Sequence, residues 1–320
     1  MTNGRSRRAA VGSLLLARRE FLRHAAGMLT IGEAAQASAQ QREVSLALSE
    51  SLVGDFNVAD ARAAMTVWIR RIAQDLKLDI AVAPQVFEPS ARLFARLRAG
   101  SVDTVAVTVS EYRQIVGSLD RTEITVPSQR TKLEYVLLVR SDGAVTRVSQ
   151  LRGKKLVMLK SMATHVAPAW LSNLVAGEEP GGTEKFFATV TNELKPSRVM
   201  LPVFFGQMDA CVATQQAFAT MCELNPQVGE RMRPIAVSPE VVPSLYAYRR
   251  GWDPAKRQLV AKVLADVRSS TAGRQVLTMF QCDALTVRHP SCLDPTLSIL
   301  EQYERTGRKF SGTLRGEGRA

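Results

Sequence analysis

Histidine and cysteine are scarce in this chain. Its 320 residues hold three histidines (His24, His165 and His289) and four cysteines (Cys211, Cys222, Cys282 and Cys292). No two cysteines stand in C-x-x-C spacing, and no H-E-x-x-H run occurs. Zinc sites and dithiol redox centres need such clusters, so neither a metal site nor a cofactor is expected. The G-x-S-x-G elbow and the Gly-rich phosphate loop are missing as well, and three histidines leave little for a catalytic triad. These absences speak against an enzyme. No apolar run approaches the roughly 18 residues that a membrane-spanning helix needs. Aromatic residues make up 6% of the chain, and its lysines and arginines are scattered with no aromatic interleaving. That pattern speaks against nucleic acid in spite of a net charge of +12.

What is present suits a globular protein of two domains. Hydrophobic residues make up 46% of the chain and charged ones 22%, enough to bury a sizeable core. The first 39 residues read as a cleaved export signal: Arg18-Arg19, then Phe21 and Leu22, then a mildly apolar stretch over 25–35 and Ala37-Ser38-Ala39 as a cleavage site. The arginine pair points to the twin-arginine route, and so to the periplasm. Six arginines against Glu20 and Glu33 give this segment +4, which leaves +8 on the remainder. An exported protein can keep disulfides. Cys282 and Cys292 flank a short polar loop and are the more plausible pair, while Cys211 and Cys222 read equally well as buried thiols. Residues 306–320, basic and rich in glycine and arginine, are expected to be disordered.

Periodicity then alternates between strand and helix. Strands are expected at 44–48, 78–82 and 103–107, separated by helices over 59–76 and 89–97, a βαβαβ pattern that predicts a parallel sheet. A polar passage, 140–160, follows the apolar run 135–139 and leads through a strand at 156–159 into Ser161 and Thr164. Further on, helices are expected over 161–176, 199–205 and 214–222 and strands at 209–213 and 235–237. An apolar run at 242–248 reads as a return strand. Helix 254–271 and the stretches 276–280 and 297–303 would pack over the first half. The resulting architecture is α/β, with two lobes of mostly parallel sheet flanked by helices and two crossing hinge segments. Lobe 1 comprises 40–140 and 243–305, lobe 2 comprises 141–242, and the passage 140–160 is one hinge. Such a clamp closes over a ligand in the cleft between its lobes.

Four stretches in this order, LRAGSVDTVAV (97–107), YVLLVRSDGAVTRVSQLRGKKL (135–156), FFGQMDACVA (204–213) and VPSLYAYRRG (242–251), resemble the periplasmic substrate-binding proteins of phosphate/phosphite/phosphonate ABC transporters. The resemblance spans about 44–303. It implies the type II periplasmic binding protein fold, a small oxyanion as ligand, and an ABC transporter permease as partner for a monomeric binding protein. A membrane sensor kinase as partner, or a small organic ligand, is the alternative.

The candidate ligand residues follow from the loops at strand ends. Ser49 and Ser51 follow the first strand, and Thr108 and Ser110 the third. Ser161 and Thr164 stand where a strand meets a helix, with free backbone N–H groups able to hold an anion. His165 is close by. Tyr135 would wall the cleft, or belong to the core. Asp209 would meet an amine on the ligand in phosphonate binders, or cap a strand. Ser49, Ser51, Ser161 and Thr164 also suit plain helix capping. The sequence departs from the family at 194–197, where a histidine is usual and Leu-Lys-Pro-Ser stands instead.

Overall fold

The computed structural model describes residues 44–53, 57–75, 77, 82–129, 131–179, 181–308 and 310. The expected export segment lies outside them, as do 78–81 of the second expected strand and 311–320 of the expected tail.

Two sheets organise the chain. The first contains β1 (Val44–Ser49), β2 (Val82–Glu88), β3 (Thr104–Thr108), β4 (Ile124–Ser128), β10 (Ser244–Tyr248) and β11 (Ala284–Arg288), in the order β11-β4-β10-β3-β1-β2. The second contains β5 (Tyr135–Arg140), β6 (Lys155–Leu159), β7 (Thr189–Glu193), β8 (Ala210–Thr214) and β9 (Met232–Val237), in the order β7-β6-β8-β5-β9. In the first sheet β1 runs parallel to β2 and β3, and in the second β6 runs parallel to β7 and β8. An antiparallel strand, β10 or β5, then enters each sheet directly from the other.

The central strands are continuous apolar runs because helices cover both faces. Every residue of β3 and β8 is buried, as is all of β5 but its last. One face of the first sheet packs on α1 (Val58–Asp75) and α8 (Thr271–Met279) through Leu48, Met65, Trp68, Val276 and Leu277. Its other face packs on α2 (Ser90–Arg98) and α3 (Val109–Ile115), and that core runs on without a break into the second sheet at Leu137, Val139 and Leu156 and into α4 (Ala167–Val175). The far face of the second sheet is covered by α5 (Pro196–Phe204) and α6 (Gln215–Leu224).

Several expectations change. Strand β5 does not close the first lobe at 140: it pairs with β8 and β9, so the chain crosses between sheets at 129–134, and 141–154 is a connection within the second sheet. The return crossing is 238–243. The long helix expected over 254–271 breaks in two. Helix α7 (Pro254–Ala265) ends before a short 3-10 turn, and Ser270 caps α8, its hydroxyl accepting from Gly273 N–H at 2.8 Å. A Cβ at Gly273 would stand 1.7 Å from the Val267 carbonyl oxygen, so only glycine permits this close return.

The last helix, α9 (Asp294–Arg305), does not lie over the first lobe alone. It packs on α4 as well as α3, through Asn173 Nδ2 to Ile299 O at 2.8 Å and the Arg113–Glu304 pair at 2.7 Å. Beyond it Arg308 donates to Ser172 Oγ at 2.5 Å and the Phe310 ring lies 6.2 Å from His165, so the described part of the expected tail packs on α4.

Candidate functional site

Ligands of open α/β sheets bind outside the carboxyl ends of the parallel strands, where loops and helix starts expose polar groups. In the first sheet these ends place Ser49 and Thr108 side by side on β1 and β3, with Ser51 in the short 3-10 turn after β1 and Ser90 at the start of α2. All four converge on Glu111. Its Oε1 accepts from Ser49 Oγ at 2.5 Å, from Ser51 Oγ at 2.8 Å and from Ser90 Oγ. Its Oε2 accepts from the Thr108 N–H at 2.9 Å and from Thr108 Oγ1 at 3.0 Å. Because the Thr108 proton goes to Glu111, the 3.0 Å contact between Thr108 and Ser110 has Ser110 as donor. Glu111 is only 5% exposed, so this carboxylate is an internal anion held by hydroxyl and amide donors.

In the second sheet the matching end is the turn after β6. Thr164 Oγ1 donates to Leu159 O at 2.6 Å and accepts from the Ser161 N–H at 2.9 Å, which pins the turn to the strand. Ser161 Oγ keeps a 3.2 Å contact to the Thr164 hydroxyl. Among the described residues no backbone carbonyl accepts from the N–H groups of Met162 and Ala163. Both line a cavity of about 240 Å³ walled by the two crossings, with Lys132, Glu240 and Arg288 at its margin and a 2.6 Å Arg288–Glu240 pair.

His165 completes the turn. Its Nδ1 lies 3.0 Å from Met162 O and must be the donor there, which leaves Nε2 as a bare acceptor. That atom is buried and has no partner among the described residues. Burial pulls the imidazole down to about 4, opposed by the bond to Met162 and by the negative charge of Glu111. The two turns are neighbours: the negative charge of Glu111 reaches His165, and Met162 packs on the first-sheet core that includes Leu52 and Val53.

The structure brings together Ser49, Ser51, Thr108 and Ser110 on one side and Ser161, Thr164 and His165 on the other. Tyr135 is placed differently. It is wholly enclosed, its hydroxyl donates to Ala163 O at 2.9 Å, and its ring lies 5.9 Å from Trp170. It supports the turn from behind and does not wall the cleft. Asp209 is at the wrong end of the sheet: its Oδ2 accepts from Lys155 N–H at 2.8 Å, at the start of β6. The parallel pairing of β6 and β8 puts it roughly 15–20 Å along the strand from Ser161. The four cysteines are free. Cys282 and Cys292 do not pair because Cys282 packs against the core cluster under α1 and α8, and Cys292 against the one shared by the two sheets.

Glu111 and Ser90 are the additions. Thr108-Val-Ser-Glu111 fits the T-x-x-E capping box, which is present. That pattern predicts the Thr108 bonds but not the three serines. No group of three potential metal ligands occurs among the described residues, and no described helix is long and apolar enough to cross a membrane.

The family model of periplasmic substrate-binding proteins of ABC phosphonate transporters matches residues 52–290. No curated protein matches the chain in sequence. Among solved structures, XAC2383 from Xanthomonas citri bound to ATP is 15% identical, with a TM-score of 0.53 over 83% of this chain and 98% of that one. The same protein bound to chloride is 14% identical, with a TM-score of 0.51 and the same coverage. A binding-protein component of an ABC phosphonate transporter from Pseudomonas aeruginosa is 12% identical, with a TM-score of 0.49 over 84% of this chain and 88% of that one. At these identities the Xanthomonas likeness shows the two-lobe fold and nothing about the ligand.

Proposed function

The chain belongs to the family of periplasmic substrate-binding proteins of ABC phosphonate transporters, and on that premise we propose that its cleft seats a small phosphonate- or phosphate-like oxyanion. Capture of a solute in the periplasm and delivery to the transporter's membrane permease is the work of this family. One observation carries the oxyanion reading. At the carboxyl end of β6, Met162 and Ala163, whose N–H groups meet no backbone carbonyl among the described residues, line a cavity bounded by both crossings, and Ser161 precedes them in the turn. Backbone N–H groups at a strand-to-helix turn hold anions without a formal positive charge. His165 Nε2, a bare acceptor, suits a hydroxyl or amine hydrogen of the same ligand.

The crossings 129–134 and 238–243 act as the hinge, and closure about them encloses the solute. The protein works as a monomer and without catalysis. Its export follows the twin-arginine route, for which Arg18-Arg19 and the stretch after them are the support.

Thermal unfolding against phosphate, phosphite, methylphosphonate, sulfate and amino acids tests the ligand class, because a solute that binds only the folded protein raises Tm by mass action. Phosphate-like anions should raise it. If none does and an organic solute does, the oxyanion reading fails.

A further inference from the structure

The first-sheet hydroxyls would be the natural second clamp on an oxyanion, but their protons are already committed. Each hydroxyl has one proton to give. Those of Ser49, Ser51 and Ser90 go to Glu111 Oε1, that of Thr108 goes to Oε2, and that of Ser110 goes to Thr108. The Thr108 N–H is used by Oε2 as well. What these five side chains can offer a ligand at the strand ends is lone pairs, with a buried carboxylate among them. An arriving oxyanion meets acceptors where it needs donors, and a charge of its own sign.

We propose that Glu111 is the specificity-setting residue of the cleft: its carboxylate occupies the first lobe's hydroxyl donors in place of a ligand oxyanion, so that the first lobe disfavours highly charged anions and the second-lobe turn alone supplies donors to them. This rests on the oxyanion reading above. Glu111 is suited to the role by its placement. It is anchored in the capping box of α3, and its two oxygens bond Ser49 at the end of β1 and Thr108 at the end of β3.

Glu111→Gln is the informative variant. A glutamine keeps the shape and can still accept from the Thr108 N–H through its carbonyl oxygen. Its amide, however, donates to the serines where the carboxylate accepted, and so frees their protons for a ligand. Glu111→Ser is the second variant, smaller and also uncharged. Binding of methylphosphonate and of inorganic phosphate is measured by titration calorimetry on the full protein, with circular dichroism and Tm to confirm the fold. The expected result is binding by the wild type and affinity about tenfold or more higher in the variants, since several charge-assisted bonds become available and a like charge is removed. Equal or weaker binding by a folded variant, with the wild type still binding, overturns this proposal and leaves the oxyanion reading intact. No binding by wild type or folded variants overturns both. Loss of fold in both variants makes the carboxylate a structural requirement and overturns the specificity role.

Discussion

The hydroxyl of Tyr135 donates to the carbonyl oxygen of Ala163 at 2.9 Å, so the first strand after the crossing holds the cleft turn from behind. Burial on all sides pushes the Tyr135 phenol well above its usual range, so it stays a neutral donor at every pH the fold survives. Tyr135→Phe should lower stability by about 1 kcal/mol, the net value of one hydrogen bond, and weaken ligand binding by loosening the turn. Urea unfolding and calorimetry on the same variant measure both.

Thr164 and Ser161 should separate by role. Thr164→Val removes the 2.6 Å bond to Leu159 O and the acceptor for Ser161 N–H, and should cost about 1–3 kcal/mol of folding stability. Ser161→Ala should leave stability within about 0.5 kcal/mol and cut oxyanion affinity roughly fivefold. A Ser161→Ala protein that binds as tightly as wild type would remove that hydroxyl from the site.

Asp209→Asn should leave ligand affinity unchanged, because the side chain bonds Lys155 N–H at the far end of β6 from the turn. Its ion pair with Lys154 is long, 3.8 Å, and half-exposed, so the stability change should stay below about 1 kcal/mol. A large loss of affinity would place Asp209 at the cleft after all.

His165 makes stability depend on pH. Its imidazole falls to about 4 in the folded protein from an ordinary 6.5. The unfolded chain therefore binds the proton more readily than the folded one. This contribution is fully present above pH 6.5 and is lost as pH falls through that value toward about 4, where the loss amounts to about 3 kcal/mol. Urea midpoints between pH 7 and 4 should fall more steeply for the wild type than for His165→Gln. Parallel profiles would show that the imidazole stays solvated.

Leu300, fully buried on α9, should cost about 2–5 kcal/mol when replaced by alanine, because α9 fills the core shared by α3 and α4. A surface-like loss below about 0.5 kcal/mol would show that α9 is dispensable. Denaturant unfolding distinguishes the two.

Much of the architecture is legible along the chain. The alternation of apolar strands with helices marks an α/β protein, because sheets buried on both faces demand unbroken apolar runs such as TVAVT in β3 and YVLLV in β5. The small polar residues after β1, β3 and β6 point to the strand ends as the polar edge. The capping pattern at Thr108 and Glu111 is local and readable for the same reason: its partners are three residues apart.

The tertiary structure decides the rest, because it depends on partners far apart in the chain. Whether β5 joins the first sheet or the second is settled by its pairing with β8 and β9, and that moves the crossing from the polar stretch after 140 to the short segment before 135. The family resemblance offers Asp209 as a ligand residue, and its place before a strand offers it as a cap. The parallel register of β6 and β8 sends it to the opposite edge. The hydroxyls of Ser49 and Ser51 are ligand donors by their position alone, yet they, with Ser90, give their protons to a carboxylate 62, 60 and 21 residues away along the chain. Composition determined that the loops are rich in hydroxyls. Only the fold, by bringing Glu111 among them, decided that their protons point inward.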